Sequence, residues 1–204
     1  MKILVAVPTY ENITPDTFKS IYGLHTGDHE TVFDFVRGYD CARARNNIVN
    51  RAMEEQADYV LMVDNDVVLP SGALVSLLEG AKDVCFGFYP HRNRYNQYDG
   101  KTNLCRLGEY NYTQQYPAAE LCEMAKREEY KIEIHGGGMG CALVKTEVFT
   151  RLKYPWFDWT NYADGQVLSE DLYFCENCRK AGIKIYADTR VGCGHLFRRI
   201  QWPV

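Results

Sequence analysis

Between residues 2 and 88, apolar runs of strand length alternate with stretches of helical period, and few folds accommodate that rhythm. Lys2–Val7, Tyr59–Val63 and Val84–Phe88 are continuous apolar runs, the pattern of strands buried on both faces. Thr31–Val36 adds a fourth run, β-branched and aromatic. Between them, Thr14-Pro15-Asp16 reads as a helix start, with Thr14 as cap, Pro15 in the first turn and Asp16 at the positive end of the dipole. Ala42 to about Gln56 places Ile48, Val49, Ala52 and Met53 on one helical face, and Ala73–Glu79 forms a shorter helix. The alternation predicts an α/β domain with a mainly parallel sheet flanked by helices on both faces. In such sheets ligands bind beyond the carboxyl ends of the strands. Pro8-Thr9-Tyr10, Asp64-Asn65-Asp66 and Tyr89-Pro90-His91 are expected there.

From Tyr89 to Tyr130 the rhythm breaks into a polar, tyrosine-rich stretch (Tyr89, Tyr95, Tyr98, Tyr110, Tyr112, Tyr116), helical again from Ala118 to Glu129. A loop of that length is expected to be a lid or a substrate-binding segment. Strands are then expected at Ile132–Ile134, Ala142–Val144 and Ile183–Tyr186, with a helix from Thr146 and another capped by Ser169 and ending at Gly182. The tail mixes Phe197, Arg198, Arg199 and Trp202. A single domain spanning 1–204 is expected, with 89–131 as an insertion.

Four constellations carry chemistry. Asp64-Asn65-Asp66 ends an apolar strand, so two carboxylates reach one pocket; carboxylate oxygens suit Mg²⁺ or Mn²⁺ bridged to phosphate, although a polar turn has the same composition. Ser169-Glu170-Asp171 opens a helix: the acids complement the dipole, or Asp171 serves as a general base kept ionised by the helix end. Gly192-Cys193-Gly194-His195 offers an imidazole flanked by glycines that permit close approach, a metal ligand or a packed ring. Arg43-Ala44-Arg45-Asn46-Asn47 begins a helix and suits a diphosphate or a base edge, or is a solvated face.

Composition narrows the class. Of 204 residues, 46% are hydrophobic and 25% charged, with a formal net charge of -4, as in an ordinary globular protein and unlike one that coats nucleic acid through bulk charge. There is no run of eighteen apolar residues, and the opening MKILVAVPTY meets Pro8 and Tyr10 too early for a secretory leader. The eight cysteines have no dense framework spacing and are expected to be reduced thiols in a cytoplasmic protein.

The ordered set of motifs resembles a GT-A glycosyltransferase, most like compact members of glycosyltransferase family two. It comprises Pro8-Thr9-Tyr10, Ala42–Asn46, Tyr59–Asp66, Gly136–Gly140 followed by Cys141–Lys145, Ser169–Cys175, Lys180-Ala181-Gly182 and Gly194-His195. The resemblance implies a nucleotide-sugar donor, a UDP-sugar, with Pro8, Thr9, Tyr10, Arg43, Arg45, Asp64 and Asn65 on the donor. It implies Mn²⁺ or Mg²⁺ held by Asp66 and His195, and Asp171 with Glu170 as the catalytic acids, Asp171 being the base of an inverting transfer. Gly137, Gly138 and Met139 would line the acceptor side. The acceptor is left open, a glycan, protein or small molecule being favoured over nucleic acid.

Other readings compete. Val63-Asp64-Asn65-Asp66-Val67 imitates the nucleophile motif of haloacid-dehalogenase-like phosphatases, but follows two earlier strands instead of ending the first. Cys175-x-x-Cys178 with Cys193-x-His195 would serve a zinc-stabilised binding module without enzymatic activity. Gly140–Thr146 fails as a phosphate loop because Val144 stands where glycine must precede the Lys-Thr pair. The tyrosines with His91, Arg92, Arg94, Lys101 and Arg106 offer stacking and charge for a nucleic acid strand.

Overall fold

A computed structural model of the chain describes all residues except 11, 94, 109–112, 162–166, 198–199 and 203–204. Arg94, Tyr110, Tyr112, Arg198 and Arg199, singled out above, lie outside the described residues. The centre is a seven-stranded sheet in the order Glu30–Arg37, Lys2–Thr9, Tyr59–Val63, Cys141–Lys145, Val84–Phe88, Tyr186–Gly192, Lys131–Glu133. Cys141–Lys145 runs antiparallel to both its neighbours, and Lys131–Glu133 antiparallel to the strand beside it; the other pairings are parallel. The mainly parallel α/β expectation is met.

Two cores follow from the two-residue period of the strands. Leu4, Ala6, Val60, Met62, Ala142 and Val144 face one side, against the helices Cys41–Glu54, Ala118–Lys126, Thr146–Arg151 and Glu170–Lys180. Ile3, Val5, Val7, Leu61, Val63 and Leu143 face the other, with Ala73–Leu78 and the apolar edge of Pro15–Tyr22. The first helix starts as expected: Thr14 caps it by accepting from Thr17 N, and Pro15 opens it. Ser169 occupies the cap position of Glu170–Lys180, but its side chain makes no capping bond.

Two expectations are corrected. The strand expected at Ile183–Tyr186 is Tyr186–Gly192; Ile183 and Ile185 are buried in the turn that leads into it. The polar stretch after Tyr89 is no irregular loop. Tyr98–Leu107 pairs antiparallel with Pro90–Arg92, with Thr113–Pro117 and with Gly136–Gly137, so a small sheet stands beside the carboxyl end of Val84–Phe88. Among the described residues, no helix is long and apolar enough to cross a membrane.

Candidate active site at the strand tips

The sheet brings the three acidic and imidazole motifs to one end. Asp64 follows the last residue of Tyr59–Val63, and its backbone N–H donates to Gly140 O at 3.1 Å. Asn65 secures the turn: its Nδ2 donates to Asn12 O at 2.8 Å and its carbonyl accepts from Thr14 N at 3.0 Å. Val67–Val68 then pairs antiparallel with Gly194–Leu196, His195 lying opposite Val67, and Leu196 N donates to Asp66 O at 2.8 Å. That two-residue ladder sets the imidazole beside the second carboxylate.

His195 Nδ1 is 2.7 Å from the Pro90 carbonyl, which can only accept, so that nitrogen carries the proton. Its Nε2 faces Asp66 Oδ1 at 3.5 Å and Arg92 Nη2 at 2.7 Å. Arg92 Nη2 also donates to Asp66 Oδ2. Burial raises the Asp66 carboxyl, but the contacts of His195 and Arg92 outweigh it and hold the pKa below the usual range.

The second cluster surrounds Arg45, which is 2% exposed. Its Nη2 meets Asp64 Oδ1 at 2.9 Å, while Nη1 meets Glu170 Oε1 and lies 2.8 Å from Asp171 Oδ1. Three carboxylates around one guanidinium are not all neutralised. Burial raises the pKa of Asp64, against the pull of Arg45. Asp171 is pushed up to about 7, first by burial and then by Glu170 and Asp64, again against Arg45.

Arg45 therefore organises carboxylates and does not face open space. Replacing it with lysine keeps the charge but loses the fork that reaches three partners, and should lower unfolding stability by about 2 kcal/mol in urea titration. An unchanged midpoint would show that the three acids do not depend on it.

The glycine loop fits closely among these groups. A Cβ at Gly140 would lie 2.8 Å from Asp64 Oδ2, and one at Gly138 3.4 Å from Asp171 Oδ2 and 2.5 Å from the Tyr89 hydroxyl. Gly137 lies against the inserted sheet, where its Cβ would meet Leu104 at 2.8 Å, and Met139 is fully buried in the larger core.

Around the corner of the sheet is a cavity of about 570 Å³ lined by Tyr10, Arg37, Tyr39, Arg43, Asn47 and Tyr154. Tyr10 and Tyr39 are largely exposed, and Arg43 lies over the Tyr39 ring. Asn46 anchors the far wall, its Oδ1 accepting from Trp156 N and Phe157 N and its Nδ2 donating to Phe157 O. Pro8 is buried in its strand, and Thr9 Oγ1 donates to Asn12 O at 3.1 Å, so of that motif only Tyr10 lines the cavity.

Sequence reasoning missed three groups. Arg92 was read only as part of a basic, aromatic stretch. The Tyr89 hydroxyl accepts from Gly140 N at 3.1 Å, and Asn103 bonds Tyr89 N and the Gly138 carbonyl, tying the inserted sheet to the glycine loop. The position of Tyr89-Pro90-His91 at a strand end was the available signal.

The zinc arrangement is not assembled. Cys175 and Cys178 belong to one core and Cys193 to the other, and His195 is turned to Pro90 and Arg92. Among the described residues, no three His, Cys, Asp or Glu side chains are gathered to hold a metal by themselves.

The fold is GT-A-like. Among solved structures, the chain is similar to GalNAc-T7, crystallised with UDP, GalNAc and Mn²⁺, at TM-score 0.64 and 10% identity, over 97% of this chain and 44% of that one. A Drosophila β-1,4-galactosyltransferase 7 mutant, in complex with manganese, UDP-Gal and xylobiose, aligns at TM-score 0.50 and 15% identity, over 91% and 64%. A197 from STIV aligns at TM-score 0.61 and 20% identity, over 96% and 86%. This chain thus spans less than two thirds of either transferase. No family model and no curated protein matches it.

Proposed function

We propose that the chain is a metal-dependent glycosyltransferase that moves a sugar from a UDP-sugar to an acceptor hydroxyl with inversion. The observation that carries this reading is a pair of linked clusters beside the tip of Tyr59–Val63 in a GT-A-like sheet: Asp66 faces His195, and Asp64, two residues before it, shares Arg45 with Asp171. Both transferases of similar fold were crystallised with UDP or a UDP-sugar and manganese.

The donor set fits Mn²⁺ or Mg²⁺: a carboxylate held below the usual pKa range, and an imidazole whose Nδ1 is committed to the Pro90 carbonyl, so that Nε2 is the nitrogen turned to Asp66. Two protein ligands suffice for a cation that completes its shell with diphosphate oxygens and water. When bound, such a cation stabilises the charge of the departing nucleoside diphosphate.

The chain's own residues do the rest. The cavity beside Tyr10 and Tyr39 takes the nucleobase, aromatic faces stacking on it while Asn47 and Arg43 offer polar contacts. Arg45 holds Asp64 and Asp171 in fixed positions, so the former meets the donor's ribose or sugar and the latter the acceptor. Glu170 is a positioning residue, committed to Arg45. Asp171 takes the proton from the attacking hydroxyl, and a pKa of about 7 gives it basicity near that of the medium. The small sheet of the 89–131 segment forms the acceptor side.

A ligand that binds only the folded form raises the melting temperature. UDP and UDP-sugars with Mn²⁺ should raise it by several degrees, about 2.7 kcal/mol of stabilisation at a hundred times Kd. Neither the nucleotide without metal nor a phosphomonoester should do so. Stabilisation by no nucleotide in the panel would overturn the reading.

A further inference from the structure

A permanent cation already stands where the divalent one is expected. Arg92 reaches from the short strand Pro90–Arg92 across the corner, donating to Asp66 Oδ2 and to His195 Nε2, and lies over the Phe197 ring at 5.8 Å. The two atoms it satisfies are the two that would ligate metal. We infer that Arg92 is an internal counter-cation that makes the metal and the diphosphate enter together. The inference rests on the metal-dependent reading above and deepens it.

The argument is one of charge. Asp66 brings a carboxylate to the corner, and the Arg92 guanidinium, which touches both Asp66 Oδ2 and His195 Nε2, is its counter-charge. A divalent ion entering alone must displace the guanidinium from both partners and leave two cations crowded around one carboxylate, where like charges a few ångströms apart repel strongly. A doubly negative nucleotide-sugar arriving with the ion restores neutrality to the set of carboxylate, metal, guanidinium and donor. The released guanidinium then has the diphosphate as its new partner, a pairing its planar fork suits. Arg92 can make that exchange, because its side chain is 38% exposed and, among the described residues, it rests on those two atoms and one aromatic face. Binding coupling of this kind is reciprocal: Mn²⁺ must tighten UDP by the factor by which UDP tightens Mn²⁺.

The test measures Mn²⁺ binding by loss of the free-ion electron paramagnetic resonance signal, with and without UDP, in the intact protein and its Arg92→Gln, Arg92→Lys and Asp66→Ala variants. In the unaltered protein, Mn²⁺ alone should bind weakly and UDP should tighten it by about a hundredfold. Arg92→Gln should tighten Mn²⁺ alone by about tenfold and shrink the effect of UDP by at least that factor, while Arg92→Lys retains most of the coupling. Mn²⁺ binding in Arg92→Gln that is unchanged or weaker, with Asp66→Ala abolishing it, would overturn the role of Arg92 and leave the metal site standing. Binding indifferent to Asp66→Ala would instead overturn the metal-dependent reading itself. UDP bound tightly without any metal, and lost in Arg92→Gln, would make Arg92 the metal's replacement and so also overturn the coupling.

Discussion

Asp66→Ala should abolish both transfer and the slow hydrolysis of donor, by more than about a thousandfold, because the diphosphate leaving group then departs without its counter-charge. Asp64 is drawn away to Arg45, and His195 alone offers one nitrogen. The folded state should change little, since Asp66 is partly exposed and its removal frees Arg92 to solvent. Melting curves with UDP and Mn²⁺ separate the two effects: the variant should keep its own transition and lose the metal-dependent shift. Transfer that persists at the original rate would eliminate Asp66 as the metal's anchor.

Asp171→Asn tests the other end of the reaction. The amide is isosteric with the acid and cannot take a proton from the acceptor, so donor binding should survive while transfer falls by about 10²- to 10⁴-fold. The pH profile carries the same information. A carboxyl pushed up to about 7 is protonated and inactive as a base below that value and ionised above it. Transfer should therefore rise with pH through about 7 and level off about one unit higher. The remaining activity of Asp171→Asn should lose that rise. A variant that transfers at the original rate, or a profile flat from pH 5 to 8, would remove Asp171 from its role.

The parts of the molecule legible in the sequence are those whose signal is local. Tyr59–Val63 and Val84–Phe88 form where their unbroken apolar runs end, because each strand is covered on both faces. Tyr186–Gly192 was misplaced for the opposite reason. It carries Asp188 and Thr189 into the interior, and Lys131 and Arg190 satisfy Asp188 at 2.8 and 2.7 Å, compensation from other positions that no periodicity announces. The inserted sheet was likewise hidden, since Tyr98–Leu107 alternates poorly and is held by pairing on both edges.

The site divides in the same way. A strand that stops in Asp64-Asn65-Asp66, or a helix that starts with Glu170-Asp171, is visible in a short window. That Arg45 would hold Asp64, Glu170 and Asp171 at once was not, nor that Arg92 would span Asp66 and His195, because each joins segments far apart in sequence.

The ladder between Val67–Val68 and Gly194–Leu196 has a consequence for biosynthesis. During translation the strand bearing Asp66 emerges early, whereas the segment with His195 leaves the ribosome only after the whole central sheet has been made. Closing so wide a loop comes late on entropic grounds as well. A nascent chain can thus acquire a folded interior while the corner between Asp66 and His195 is still unfinished, and truncated products that lack the last strand pair should accumulate as stable protein without that corner.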